Sequence, residues 1–493
     1  MKKISLWMSA AAALATAAVL AGCGSTSYFD GRVLPPSGLV NRVLIAVQNP
    51  GGIAGGELQI VDAYYDERSG YNGQPPVYYI AGYAGELPIS IQNMPEEQVG
   101  AVYGSGDGSL ALINYAAEKP SSTVSGLSGL SSSIFITRNQ DYVFAANQSS
   151  HVFTVVDRTS GASYEFSLPN VYRVSVNPGG SVALAFVQDS NYAYYPRKLT
   201  TAQSLTYAGG PSTWPKAAVD CEPQDAPAWC LFQAQSPDNT DSTGNYYGAP
   251  LIFDRPVKAV FSSDGSTAYI LSCGPECGGS ASAVTPIPVA PMIFLPGQSS
   301  GLLPTQSALD SATVPIPGGA SNALVDSTTM YVVGQAPQTI GGQTLFGGNL
   351  TVVNLANNPV TITSSTPISD GQPGAVSRML EADDNTLWIG MSGCTNGVRY
   401  ATSAPGGYGC LTMYNTLTGN VLLMPYLGNA TGIAAVTGLH KIYTVEGGQV
   451  YIYSTDCTPT QCPALDNQYV TVTGTAYDVA YMDAITDADN TVY

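Results

Sequence analysis

Two histidines, His151 and His440, are the only imidazoles in the 493-residue chain. Histidine is the usual general base and metal ligand near neutral pH, so a Ser-His-Asp triad or a histidine metal site would have to use one of them. His151 opens a predicted strand, and His440 lies in a predicted turn before Lys441. We expect both to be ordinary surface residues, so the sequence offers no catalytic residue.

Three loop segments carry clustered oxygen donors of the kind that Ca²⁺ prefers. They are 238–241, 383–385 and a third that contains Asp487, Asp489 and Asn490. None follows the spacing of an EF-hand, and Asp and Asn are expected in turns between strands. Calcium at the third cluster is the one metal site that the sequence leaves open, and no other cofactor is predicted.

The first 23 residues have the layout of an export signal. Lys2 and Lys3 are followed by an apolar run over 10–20 and then by Leu20-Ala21-Gly22-Cys23. The run is too short and too rich in alanine for a transmembrane helix, which needs about 20 strongly apolar residues. The ending resembles a bacterial lipobox, and this resemblance implies cleavage before Cys23 and attachment of lipid to that cysteine. An uncleaved membrane anchor is the alternative.

These features predict an exported protein that a lipid on Cys23 holds to a membrane of the bacterial envelope. Gly24 follows the cysteine; an Asp at that position retains lipoproteins at the inner membrane in the best-known sorting system, so the resemblance favours the outer membrane. We expect a signal peptide over 1–22, the lipidated cysteine and a flexible tether over 23–41, and one globular domain over 42–493.

The cysteines beyond residue 23 fall into four neighbouring couples. An even number of cysteines in an exported chain predicts disulfides, and the clustering favours pairing between neighbours, although other connectivities are open. Zinc is the alternative at Cys273-Gly274-Pro275-Glu276-Cys277, but no second close Cys or His pair accompanies it. The candidate disulfide cysteines are Cys221, Cys230, Cys273, Cys277, Cys394, Cys410, Cys457 and Cys462.

The chain is strongly acidic, with 17 basic and 35 acidic side chains and a net charge of −18. Loss of Lys2 and Lys3 with the signal peptide would make it more negative still. A surface of this sign repels phosphate backbones, so nucleic acid is not an expected partner. Only 11% of the residues are charged, and glycine and tyrosine are abundant, which suits an extracytoplasmic β-protein with many turns.

A strand that ends in Asp, Asn or Ser recurs along the chain, and a second apolar strand precedes most copies. A repeat of roughly 40 to 60 residues with about four short strands predicts an all-β protein, a β-propeller. Strand pairs indicate eight blades, or seven if the region 170–260 forms one irregular blade, and 207–250 is expected to be an inserted loop. The recurring strands are Leu58–Asp62, Leu110–Asn114, Phe153–Asp157, Leu350–Asn354, Leu411–Asn415 and Val450–Ser454.

The two ends of the chain predict how the ring closes. The first unit begins with its second strand, Val43–Val47, whereas the chain finishes with an unpartnered first strand, Tyr477–Met482. We therefore expect the C-terminal strand to complete the N-terminal blade, which removes an open sheet edge.

The segment from Tyr142 to Gly161 resembles a YVTN-type propeller repeat of the kind found in lactonase-like propellers. Ser263-Asp264-Gly265 with the strand that follows is similar to another phrase of that superfamily. The resemblance implies the fold but does not imply an activity. Repeat tryptophans of quinoprotein blades and the Trp-Asp dipeptide of WD repeats are not seen in the sequence.

We expect a membrane-anchored, non-catalytic binding or scaffold module of the cell envelope, with an envelope protein or a glycan as its partner. The alternative is a surface hydrolase or lyase of the lactonase or glycan-active propeller type, whose paired carboxylates could come from distant blades. Charged side chains that meet at the central channel would leave the enzyme hypothesis open, whereas an apolar channel would exclude it.

Overall fold

The computed structural model describes residues 34–70, 74–294, 301–340, 343–357, 360–370, 376–393, 410–426, 428–456 and 469–484. Eight antiparallel sheets stand in a ring and form an eight-bladed β-propeller. This confirms the predicted fold and blade number, because the region 170–260 divides between blade 4 and the start of blade 5. No helix among these residues is long and apolar enough to cross a membrane.

The strands of the first half of the chain supply blades 1 to 4. They are β1 (Arg42–Gln48), β2 (Gly56–Asp62), β3 (Ser69–Gly70), β4 (Gln74–Val77), β5 (Pro88–Met94), β6 (Val99–Gly104), β7 (Leu110–Asn114), β8 (Lys119–Val124), β9 (Ser133–Ile136), β10 (Tyr142–Asn147), β11 (Val152–Asp157), β12 (Ala162–Ser167), β13 (Val171–Val176), β14 (Ala183–Val187), β15 (Ala193–Lys198), β16 (Ala218–Glu222), β17 (Trp229–Gln233), β18 (Asn239–Thr240) and β19 (Tyr246–Tyr247).

The second half supplies blades 5 to 8 and the closing strand. Its strands are β20 (Pro256–Phe261), β21 (Thr267–Cys273), β22 (Ser282–Pro288), β23 (Val314–Pro315), β24 (Asn322–Asp326), β25 (Thr329–Ile340), β26 (Gln343–Asn354), β27 (Thr361–Asp370), β28 (Val376–Ala382), β29 (Thr386–Met391), β30 (Leu411–Asn415), β31 (Val421–Leu423), β32 (Ala430–Val436), β33 (Lys441–Glu446), β34 (Gln449–Ser454), β35 (Tyr469–Val470) and β36 (Thr475–Tyr481).

The order within each blade follows the chain. Blade 1 is β36-β1-β2, blades 2 and 3 are β5 to β8 and β9 to β12, and blade 4 is β13-β14-β15-β17-β16. Blades 5 to 8 are β20 to β23, β24 to β27, β28 to β31 and β32 to β35. The inner strands β36, β5, β9, β13, β20, β24, β28 and β32 lie beside the central channel. We call the face at which they begin the upper face and the other the lower face.

Short helices lie outside the sheets. The α-helices are α1 (Thr201–Tyr207) and α2 (Gln306–Ala312), and single 3₁₀ turns span Pro50–Gly52, Pro95–Glu97, Gly274–Cys277 and Ala290–Met292. In α1 the Thr200 hydroxyl accepts a hydrogen bond from the Gln203 amide, and the Gln203 side chain accepts one from the Thr200 amide. This reciprocal capping lets so short a helix start where the chain leaves blade 4.

The second strand of each blade lies between two neighbouring blades, so both of its faces are covered. All six residues of Tyr142–Asn147 and of Thr386–Met391 are buried. Their sequences are accordingly almost continuous apolar runs, as expected for strands buried on both sides. The outer strand Ala162–Ser167 instead alternates between partly and fully exposed positions over most of its length.

The C-terminal strand closes the ring as predicted. Strand β1 pairs with β2 on one side and with β36 on the other, so Ile45 stands opposite both Gln59 and Val479. Beside this junction the buried Arg42 guanidinium donates to both carboxylate oxygens of Asp483, at 2.9 and 2.5 Å. The two ends of the chain are thereby held together by a full sheet ladder and an ion pair.

Part of the predicted insertion at 207–250 belongs to the sheet. Strand β17 is the fourth strand of blade 4, and β16 adds a fifth at its outer edge. The Cys221–Cys230 disulfide links these two strands at directly paired positions. The remaining stretch carries the small hairpin of β18 and β19.

Candidate functional site

Six of the eight inner strands carry a one-residue register shift near the upper face. The shift bypasses Ile89, Tyr172, Val257, Ser377, Thr431 and Tyr477 in the pairing with the second strand. A bulge of this kind re-aims the side chain that follows it. Repetition around the ring therefore places one residue of each blade at the same height beside the channel.

We name these residues the inner ring. Backbone hydrogen bonding between the inner strand and the second strand ends near the lower face. In every blade the inner-ring residue lies four positions before the last residue of the inner segment that takes part in it. Seven of the eight side chains are polar or charged, and the eighth residue is glycine. In order from blade 1 to blade 8, the inner ring consists of Asp478, Ser90, Ser133, Arg173, Lys258, Asn322, Arg378 and Gly432.

Polar side chains of the inner ring bridge neighbouring blades. Asp478 Oδ2 accepts a hydrogen bond of 2.8 Å from the Ile91 amide, and Ser133 Oγ accepts one of 3.2 Å from the Val174 amide. The channel edge of an inner strand has no further strand beside it, so its N–H groups need other acceptors. These contacts explain why acceptor side chains stand at the inner ring in blades 1 and 3.

The inner ring holds three cationic side chains and one carboxylate. Burial, and then the charges of Arg173 and Arg378, hold the pKa of Lys258 well below its usual range. Lys258 Nζ donates to Asn322 Oδ1 at 2.6 Å, and Arg378 Nη2 lies 3.6 Å from Asp478 Oδ2. In a chain with so few basic residues, the upper end of the channel is locally positive.

A cavity of about 450 Å³ opens beside the inner ring on the upper face. Its lining is Leu130, Ser131, Ser132, Gln148 and Ser149, from the segments before β9 and after β10. Ser132 Oγ also donates to the Tyr172 carbonyl at 2.9 Å, immediately before Arg173. The half-buried Arg173 guanidinium lies 5.6 Å from the Tyr172 ring centroid. Hydroxyl and amide groups therefore lie next to a cationic position.

The two histidines lie on opposite faces of the propeller and outside the inner ring. Both are exposed and have left-handed backbone, with φ of 60° for His151 and 55° for His440. His151 Nδ1 accepts a hydrogen bond from the Asn170 amide at 3.1 Å. His440 Nδ1 lies 2.8 Å from Asp384 Oδ2, and this hydrogen bond raises the pKa of the imidazole. His440 lies in a turn, as predicted, whereas His151 lies in the turn just before β11 and not in the strand itself.

The acidic clusters over 238–241 and 383–385 form hydrogen bonds within and between turns. Asp241 Oδ1 accepts from the Thr243 and Asn245 amides, each at 2.9 Å, and Asp383 Oδ2 accepts from the Gly438 amide at 2.9 Å. Within the described ranges, no group of three or more Cys, His, Asp or Glu residues is placed to hold a metal. Asp487, Asp489 and Asn490 lie outside the described residues.

Two predicted disulfides are confirmed, Cys221–Cys230 and Cys273–Cys277. The second excludes zinc binding by that pair of thiols. Cys410 is also disulfide-bonded. Of the remaining predicted positions, Cys23, Cys394, Cys457 and Cys462 lie outside the described residues.

Sequence reasoning missed the inner ring. A signal was present, because Arg173 lies four residues before Asn177 and Lys258 four residues before Ser262, the residues that begin equivalent turns. Aligning the inner strands on those turns would have placed the two cations at one height. The search for histidines and acidic clusters instead led to turn residues.

Charged side chains do meet at the channel, which keeps the enzyme alternative open. The one inner-ring carboxylate, Asp478, accepts from the Ile91 and Val479 amides and lies beside Arg378. Such contacts stabilise the ionised form of a carboxylate and hold it in place. The arrangement is suited to holding negative charge in the channel.

No family model and no curated protein matches the chain. Among solved structures, the dihydro-heme d1 dehydrogenase NirN is similar with a TM-score of 0.51 and 10% identity, over 92% of this chain and 79% of that one. A Bacteroides uniformis protein provisionally identified as a 6-phosphogluconolactonase is similar with a TM-score of 0.43 and 10% identity, over 90% of this chain and 99% of that one.

Hydrazine synthase of Kuenenia stuttgartiensis is similar with a TM-score of 0.45 and 13% identity, over 77% of this chain and 100% of that one. Identities this low reflect shared architecture, and fold alone does not determine function. The fold is therefore shown by the eight blades of the chain itself, and the comparisons assign it no activity.

Proposed function

We propose that the protein is an exported binding module, anchored to the bacterial envelope by lipid on Cys23, that uses its upper face to bind an envelope component without chemical turnover. The observation that carries the proposal is the inner ring, whose charged and polar side chains stand at the upper mouth of the channel beside the serine-lined cavity. Concave sites with a few convergent polar groups are typical binding sites.

Long connections support the upper face as the binding face. The hairpin of β25 and β26 has twelve residues in each strand and pairs as far as Ile340 and Gln343, well beyond the five-residue strand β24. The Cys273–Cys277 disulfide fixes the connection between β21 and β22 on the same face. Loops held by a rigid scaffold are the usual carriers of binding residues.

The test is capture from envelope extracts with matched variants of the full chain. Ser131→Trp fills the upper-face cavity, whereas Leu417→Trp adds the same side chain on a lower-face turn, where Leu417 is 79% exposed. We expect a bound component that survives Leu417→Trp and is lost with Ser131→Trp. Equal capture by the two variants would refute the upper face as the binding site.

Turnover is tested separately, with envelope glycans and lactones as substrates. Product formation that disappears in Asp478→Asn would establish the hydrolase or lyase and overturn the non-catalytic proposal, since Asp478 is the inner-ring carboxylate. An unchanged substrate pool supports the binding module.

A further inference from the structure

We propose that the upper end of the central channel is an anion site, in which Arg173, Lys258 and Arg378 receive the phosphate or carboxylate group of a small polar molecule. This inference rests on the proposed function and names the chemical class of the ligand. It follows from the placement of the three basic side chains, from the cavity next to the segment of Arg173 and from the electrostatics of the inner ring.

The first argument is that the amides at the edges of the inner strands do not explain why basic side chains occupy the inner ring. Inner-ring residues such as Asp478 and Ser133 accept hydrogen bonds from amides of the next blade. Lysine and arginine side chains can only donate, so they cannot serve those amides. Arg173 and Lys258 nevertheless occupy the equivalent positions of the adjacent blades 4 and 5.

The second argument is electrostatic. Lys258 is 6% exposed, and Arg173 and Arg378 are close enough to disfavour its charged form. Among inner-ring residues only Asp478 offers negative charge, and it stands beside Arg378 on the far side of Gly432. A bound anion would stabilise the charged form of Lys258 and would pair with the half-buried guanidinium of Arg173 in this partly desolvated channel.

The third argument is access. The cavity lined by Ser131, Ser132, Gln148 and Ser149 opens on the upper face, and Ser132 of its lining donates to the Tyr172 carbonyl, immediately before Arg173. Its volume of about 450 Å³ lies within the range of small-molecule sites. Hydroxyl and amide groups in the lining suit a ligand that carries polar groups besides its anionic end.

The experiment is titration calorimetry of the full chain, purified in detergent, with inorganic phosphate and with citrate at constant ionic strength. We expect Arg173→Gln to weaken binding of at least one of these probes tenfold or more, and Arg173→Lys to restore most of the affinity. Arg158→Gln is the matched control, because Arg158 is also half-buried but donates to the Gln140 carbonyl in a lower-face turn. It should change the Kd less than twofold. Thermal unfolding of each variant verifies that it is folded.

The inference fails if Arg173→Gln and Arg158→Gln bind the probes equally, or if the full chain binds neither phosphate nor citrate. Either result leaves upper-face capture of an envelope component intact, because the Ser131→Trp comparison does not depend on anion binding. Loss of that capture with normal phosphate binding would instead remove the proposed function and keep the anion site.

Discussion

Arg378 Nη2 lies 3.6 Å from Asp478 Oδ2, although their inner strands are separated by a whole blade. The intervening inner-ring residue is Gly432. A Cβ atom at Gly432 would lie 2.8 Å from both Cα and Oδ1 of Asp478 and 2.9 Å from the Val479 amide nitrogen. The missing side chain is what lets the cation of blade 7 reach the carboxylate of blade 1.

Gly432→Ala should therefore disturb the inner ring. Two of the three close atoms belong to backbone, so β36 has to shift, and overpacking of this kind costs about 1 to 3 kcal/mol of unfolding free energy. Urea unfolding followed by tryptophan fluorescence measures the loss. Gly179→Ala is the control, because a Cβ at Gly179 would meet only Asn177 Nδ2, at 3.8 Å. Equal stability of the two variants would contradict the packing argument.

The strands and the closure of the ring could be predicted, but the inner ring could not. Second strands such as Tyr142–Asn147 are buried on both faces, so their apolar runs stand out in the sequence. Lys258 and Asn322 are 64 residues apart, and their contact depends on which inner strands become neighbours and on bulges. A single residue in an inner strand produces no periodic pattern in the sequence. The predicted functional residues were therefore histidines and acidic residues in turns.

Removal of the closing strand should destabilise the whole propeller. A chain that ends at Gly474 lacks β36, which opens the edge of β1 and leaves the buried Arg42 without Asp483. Arg42 keeps Glu118, 2.9 Å away, but removal of one partner from a buried ion pair costs about 3 to 5 kcal/mol, so together with the opened sheet edge we expect loss of most of the stability. Deletion of 24–38, which leaves every described strand in place, is the control and should change the unfolding free energy far less. Similar urea midpoints for the two shortened chains would contradict closure by β36.

Replacement of the proposed lipidation site should release the protein from the membrane. Cys23→Ser removes the thiol that lipid would modify, so we expect a folded propeller in the soluble fraction and no metabolic labelling by palmitate. Ser25→Ala, a small change two residues away, should leave the protein in membranes. Membrane retention of Cys23→Ser would disprove anchoring through Cys23.

Glu446 should make the stability of the propeller depend on pH. Burial raises its pKa from 4.5 to about 7, while the Tyr453 hydroxyl, at 2.6 Å, and the Thr444 hydroxyl, at 3.0 Å, donate to Oε1. Because the pKa is higher in the folded chain, that state binds the extra proton between about pH 4.5 and 7. The unfolding free energy therefore falls as the pH rises through this window, by on the order of 3 kcal/mol, and stays low above it.

Glu446→Gln should remove the contribution of Glu446 to that dependence, because the amide keeps an acceptor for both hydroxyls and carries no charge. Burial also raises the pKa of Glu381 to about 7, so a second contribution of the same sign remains in the variant. Above pH 7 we expect the variant to be more stable than the wild type, and near pH 4.5 the difference should vanish. Urea unfolding at a series of pH values from 4.5 to 8.5 tests this, with the exposed Glu165→Gln as the control. A pH dependence in Glu446→Gln as large as that of the wild type would contradict the role of Glu446 and leave Glu381 as the group that titrates.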